Sequence, residues 1–342
     1  MKSLLTLSMN ISEKEYRDIL ALDYSLISRY TNSGFNGLET IFNKIESPSL
    51  TFGSLVDCLL TAPNEVDDKF FVSELSEPSE KVKKAVEYLY NNTDKEWLGE
   101  IDADTVLNAL DMVEYQSNWK DDKRIITFLD KGKNWFRFLI TSAGKTIITR
   151  EIYNKALNVV NVVKSSNVTK FYFEPNVEFA DIQRFYQLKF KTNIDGIDFK
   201  IMPDIIVVDY YKKEITICDF KTTSKKEWDF CESFIKYNYH QQARLYYKVL
   251  FEVLKKDELF KDFKIKEFKF IVANVDNPQP IVWNCNFFMD CGDLKFGANE
   301  QILFKDPVNV GKELKKYLDE KPTKPFEIKD ENDLKDFLNK IE

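Results

Sequence analysis

Two aspartates and a lysine are the residues of this chain best spaced to do chemistry. Asp204 follows Pro203 at the start of one apolar segment, about 204–209, and Asp219-Phe220-Lys221 lies within a second, about 214–222, the two divided by a polar turn at 210–213. That pattern predicts a β-hairpin. Centred on Tyr211 and Lys212, it sets positions whose numbers sum to 423 opposite each other, and Asp204 and Asp219 satisfy that sum. Opposed residues on antiparallel strands share a face, with Cβ atoms about 4.5–5.5 Å apart. Lys221, two residues further on, points the same way. Adjacent carboxylates stay ionised together only with a cation between them. Oxygen donors of this kind suit Mg2+ or Mn2+, which keep water in their shell. A nearby amine can orient or deprotonate that water and stabilise a pentavalent phosphate. The alternative is a cross-strand ion pair on a solvated face. Against it, Ile205, Ile206, Val207, Val208, Ile215, Ile217 and Cys218 make both faces apolar, and buried charges demand pairing or a metal.

The surrounding elements must hold this hairpin. Residues 1–50 read as helical, with Ser12 and Glu15 forming a capping box. A short helix between Gly53 and Pro63 carries Asp57 among Leu55, Val56, Cys58, Leu59 and Leu60. An unpaired acid there is costly; otherwise Asp57 is an exposed acid on an amphipathic helix. Residues 79–140 read as mainly helical, and Gly144-Lys145-Thr146 as a turn entering a long amphipathic helix. From about 170 the period changes to that of strands, at FYFEPNVEFA, RFYQLKFKTNI, FKIMPDIIVVDYY and KEITICDFKTT. A helix from about Glu232 to Lys256 follows, then strands at KEFKFIVANV and PIVWNCNFF and a helical tail from Asp290. The order predicts an α/β (α+β) chain with a mixed central β-sheet flanked by helices. We expect one domain over 1–342: a mainly helical part at 1–165, a core at 166–290 and a helical tail at 291–342.

Composition narrows the classes. The net charge of −7 gives no global attraction to nucleic acid, although an acidic protein can still line one groove with Lys and Arg. No apolar run reaches the roughly 18 residues of a membrane span, and the N-terminus lacks the pattern of a signal peptide. Five scattered cysteines with no CxxC pair read as reduced thiols rather than an iron–sulfur site, so a cytoplasmic setting is expected. The single histidine, His240, excludes His-based zinc centres and makes a Ser-His-Asp triad untenable; it reads as structural or as a phosphate contact. There is no phosphate-binding G-x-x-x-x-G-K-[ST] loop.

The Pro-Asp…Asp-x-Lys string resembles the PD-(D/E)xK nuclease superfamily. Gln242 and Tyr246, on one helix face at i, i+4, match the Q-x-x-x-Y motif of its RecB-like branch. Gly53–Pro63 resembles the G-x-x-x-H helix of RecE-like phage exonucleases, with Asp57 where the family often has His, and GKTIITREIYNKALNVVNVV resembles the entry to the nuclease core. The likeness covers roughly residues 12–285 and implies a restriction-endonuclease-like core with a helical N-terminal elaboration. It further implies Asp204, Asp219 and the Phe220 carbonyl as ligands of Mg2+, with Asp57 beside them. Glu178 stands as the upstream acid or, equally, as a surface glutamate. Lys221 would activate water, with Gln242 and Tyr246 contacting phosphate or orienting it. Lys225, Lys226, Lys236 and Lys248 are candidate contacts to a DNA backbone. The implied activity is a 5′→3′ exonuclease on duplex DNA, often a ring-shaped oligomer that feeds a single-strand annealing protein. The alternatives are a repair or restriction-type endonuclease on the same core, and a DNA-binding or virion-associated protein without turnover.

Overall fold

The two-faced apolar hairpin expected at 205–223 forms the middle of a sheet. The computed structural model describes residues 3–320 apart from 44, 46, 75, 76, 179, 227, 228, 286–288, 290 and 297–301. The first half is helical: α1 (Glu13–Asp18), α2 (Tyr24–Ser33), α3 (Pro48–Thr61), α4 (Val66–Lys69), β1 (Phe70–Ser73), α5 (Glu80–Asn92), α6 (Ala103–Met112), α7 (Asp121–Thr141), β2 (Thr146–Thr149) and α8 (Arg150–Ser165). The second half holds β3 (Ile182–Tyr186), β4 (Phe190–Ile194), β5 (Ile197–Ile201), β6 (Ile205–Asp209), β7 (Glu214–Thr223), α9 (Phe230–Lys236) and α10 (Tyr239–Leu254). It ends with β8 (Lys264–Asn274), β9 (Ile281–Asn284), β10 (Leu294–Phe296), β11 (Ile302–Phe304) and α11 (Pro307–Glu320).

The central sheet has the order β3-β6-β7-β8-β9 and is mixed: β7 and β8 run parallel, while the other neighbours are antiparallel. The fold is thus a mixed α/β architecture with helices on both sides of the sheet. Alternation along β6 and β7 divides two cores. Ile206, Val208, Ile215 and Ile217 face α10, α2, α11 and the β4–β5 hairpin. Ile205, Val207, Cys218 and Phe220 face α3 and α8. A third apolar cluster binds α5, α6 and α7 together. There Gly132 lets α7 approach so closely that a Cβ would sit 2.8 Å from Val86 Cγ2.

Several elements depart from the sequence expectation. FYFEPNVEFA is no strand: Lys170–Phe173 is a 3-10 turn, and the described residues after it are irregular. RFYQLKFKTNI splits, β3 joining the central sheet and β4 pairing only with β5. The helix expected at 232–256 is two, broken where Asn238 takes a left-handed backbone (φ 54°), a conformation that asparagine tolerates. Thr146–Thr149 forms a strand parallel to β1 before α8 begins. The tail opens with the β10–β11 hairpin ahead of α11, and its last part, 321–342, lies outside the described residues.

Candidate active site

The hairpin register is the one the spacing predicts. Ile205 pairs with Cys218 and Asp209 with Glu214, so Asp204 and Asp219 oppose each other one step beyond the last ladder pair. Asp204 Oδ2 closes that step by accepting the Phe220 backbone N–H at 2.7 Å. A residue's N–H and C=O leave an extended strand on the same side, so the Phe220 carbonyl faces the same gap.

Asp219 is 2 % exposed. It is ion-paired to Lys221 on the same strand face, and its Oδ1 accepts Gln242 Nε2 at 2.6 Å. The same Gln242 nitrogen lies 3.2 Å from the Tyr246 hydroxyl, which donates to the Met202 carbonyl at 3.4 Å. The i, i+4 pair on α10 thus reaches both the second strand and the Met202–Pro203 peptide ahead of Asp204. The Lys221 amine stands 5.0 Å from the centre of the Tyr239 ring and 5.9 Å from that of Phe270, a desolvated cation–π seat. Tyr24 on α2 donates to the Tyr237 carbonyl at 2.5 Å, as Ser28 does at 2.9 Å, pinning the α9–α10 break beside the site.

Asp57 arrives from α3, which packs on the other face of the sheet. Gly53, one turn earlier, faces β7, its Cβ position lying 3.4 Å from Thr222 Oγ1. Gln187, just past β3, joins Asp57 to the hairpin. Its Nε2 lies 3.0 Å from Asp57 Oδ2 and 3.4 Å from Asp204 Oδ1. Asp57 Oδ1 and Gln242 Oε1 are buried without a hydrogen-bond partner.

Charge in this pocket is unbalanced. Burial and the neighbouring Asp219 push Asp57 up to about 7. Burial, then Asp219 and Asp57, hold Asp204 well above the usual carboxylate range. Burial also raises Asp219, against the pull of Lys221. Burial, the largest single influence, would lower the Lys221 amine, but Asp219, Tyr239, Asp204 and Tyr24 together outweigh it and the net shift is upward. Among the described residues no three Asp, Glu, His or Cys side chains already form a ligand cage; two amides and the amine stand between these acids. The oxygen-only donor set, with a buried carboxylate oxygen lacking a partner, fits a hard divalent cation.

The other sequence candidates fall outside the cluster. Glu178 is exposed in a turn. The turn that holds it folds back onto β3, the Val177 and Ala180 carbonyls accepting Gln183 Nε2, and Gln183 pairs with Val208, four strand steps of roughly 3.3 Å from Asp204. Lys248 is ion-paired to buried Asp306 at 3.0 Å, next to Arg244, and so belongs to an internal cluster on another face of α10. Lys225 and Lys226 are exposed just after the end of β7 that carries Lys221, Lys225 paired with Glu232. Lys236 is exposed at the end of α9. His240 is 2 % exposed and stacks on Phe304 at 4.3 Å. Burial and Arg244 lower it to about 3, so it is a neutral core residue and not a phosphate contact.

Comparison with known proteins is sparse. No family model and no curated protein matches the chain. Among solved structures it is similar to one from Eubacterium rectale described as a "Putative exonuclease", at 12% identity and a TM-score of 0.43, over 91% of this chain and 86% of that one. A likeness that distant has no bearing on activity.

Proposed function

We propose that this chain is a metal-dependent deoxyribonuclease of the PD-(D/E)xK type, acting as a 5′→3′ exonuclease on duplex DNA. The observation that carries the reading is the opposed Asp204–Asp219 pair, with Lys221 and Gln242 both on Asp219. Three acids share one amine there, and a polyanionic substrate needs that excess negative charge neutralised.

Asp204, Asp219, the Phe220 carbonyl and Asp57 would hold Mg2+ or Mn2+. When bound, such an ion supplies Lewis-acid polarisation of a phosphoryl oxygen and a more acidic water. Lys221, fixed against Tyr239, orients the attacking water and donates to the developing charge on phosphate. Gln242 holds the Asp219 carboxylate in one rotamer, and Tyr246 holds Gln242. Lys225, Lys226 and Lys236 offer exposed charge to the phosphate backbone. Strand polarity, a ring-shaped oligomer and a single-strand annealing partner enter from the family resemblance.

Linear duplex DNA labelled at either the 5′ or the 3′ end, digested with Mg2+, tests the reading. Progressive early release of the 5′ label is expected. Cutting of covalently closed circles would replace the exonuclease with an endonuclease. DNA binding with no cleavage in Mg2+ or Mn2+ would make the chain a binding protein.

A further inference from the structure

We infer that Gln187 is a positioning residue, a neutral spacer that sets the separation and direction of Asp57 and Asp204 for cation binding. The inference rests on the proposed metal site and assigns the site a component that the motif does not contain.

Asp57 and Asp204 come from elements that share no hydrogen-bond ladder: α3 lies across one face of the sheet, and Asp204 precedes β6. Gln187 is the side chain joined to both acids, through one amide nitrogen at 3.0 Å and 3.4 Å. An NH2 group has two N–H bonds and can serve two acceptors at once. As a donor without charge it gives each carboxylate one hydrogen bond and leaves their negative charge uncancelled, which a lysine here would not do.

The backbone fixes the amide. Gln187 N–H donates to the Asp204 carbonyl at 3.2 Å, one step past the Tyr186–Ile205 pair. Its φ of 53° is left-handed, unusual for a residue without a polar side chain bonded to its own backbone. This twist ends β3 where the side chain must turn toward α3. Thr61, one turn beyond Asp57 on α3, donates its hydroxyl to the Asp57 carbonyl at 2.8 Å. Its oxygen also stands 3.5 Å from the Gln187 amide. Two elements therefore brace the bridge.

The discriminating variant is Gln187→Asn. Asparagine tolerates the left-handed backbone better than most residues and keeps the amide, but one methylene less leaves it unable to span both acids. Mn2+ affinity is read by calorimetry on the full chain for wild type, Gln187→Asn and Asp204→Asn, with the melting temperature of each metal-free protein. We expect wild type to bind, Asp204→Asn to lose binding, and Gln187→Asn to bind at least about tenfold more weakly, the range for residues that orient metal ligands. Unchanged affinity in Gln187→Asn, with binding still lost in Asp204→Asn, overturns the inference and leaves the metal site standing. A wild type that binds no Mn2+, or an Asp204→Asn protein that binds as wild type does, overturns the metal site and the inference together. If Gln187→Asn melts below the assay temperature, Gln187→Gly is measured instead: it adopts the left-handed backbone freely, removes the amide without adding a charge or a metal ligand, and is held to the same affinity outcomes.

Discussion

Helix α10 carries two buried ionic clusters, two residues apart in sequence, and they are built on opposite terms. Through Gln242 it meets Asp219, where the carboxyls of Asp57, Asp204 and Asp219 share the one amine of Lys221. Through Arg244, itself 0 % exposed, it meets Asp306, where Arg244 and Lys248 face Asp306 and nearby Asp293. There cations match acids, and the guanidinium also donates to the carbonyls of Phe304 and Gly292. A charge-balanced buried cluster ties the C-terminal elements to the helix, although Arg244 Nε is left without a hydrogen-bond partner. An unbalanced one, with its carboxyls pushed upward, has a place for positive charge from outside. Burial and ion pairing are common to both clusters; the local charge balance is what differs between them.

Breaking each cluster should therefore have opposite consequences. Asp204→Asn is expected to reduce DNA cleavage on the order of 10³-fold, comparable to losing a key electrostatic group, while the metal-free protein melts at a higher temperature. A lower melting temperature would contradict the surplus of negative charge. Asp306→Ala should do the reverse. It strands a buried guanidinium and costs about 3–5 kcal/mol in denaturant unfolding, with Mn2+ affinity unchanged in the folded protein.

Acidity sharpens the contrast. The Asp57 carboxyl has an ordinary value of 3.8 and stands near 7 in the folded chain. Over that interval the folded state keeps a proton that the unfolded state releases, so metal-free stability falls as pH rises through it and levels off above. Melting curves between pH 4 and 8, read by fluorescence, should show that slope. Asp57→Asn should flatten it, and so should Mg2+ in the upper half of the range. A slope untouched by Asp57→Asn would place the titration elsewhere.

The smallest effects lie at the surface. Lys225→Ala and Lys236→Ala should each lower the salt dependence of DNA binding by roughly one unit of log–log slope. Lys248→Ala should leave that slope unchanged and lower stability instead. An equal change in slope from all three would return Lys248 to the DNA-facing surface.

How legible this was depended on sequence distance. The β6–β7 register followed from a four-residue turn and two apolar runs, and the Gln242/Tyr246 face followed from helical period; both are local regularities. Gln187 was not legible, because it reaches Asp204 through β3–β6 pairing, whose register no short turn sets. Glu178 entered as the family's upstream acid or, equally, as a surface glutamate, and the turn that holds it packs on Gln183, toward the other end of β6 from Asp204. The break at Asn238 escaped because an unbroken apolar period spans it. Lys248 looked like a surface cation because its partner, Asp306, is supplied by the chain beyond the sheet. For Gln187 and Lys248 a distant segment decided what a locally plausible residue does.

The tight turn between β6 and β7 also bears on the order of assembly. Closing four residues, 210–213, costs little chain entropy, whereas the parallel β7–β8 pair must close the whole segment from Thr223 to Lys264, α10 included. The hairpin can therefore register early, bringing Asp204 against Asp219 before Gln242 arrives to hold either. For that interval the nascent hairpin carries its own electrostatic brake. Lys221, on the same strand as Asp219, offsets part of that repulsion from the outset, and mild acid is expected to relieve the rest, which refolding rates across pH would show.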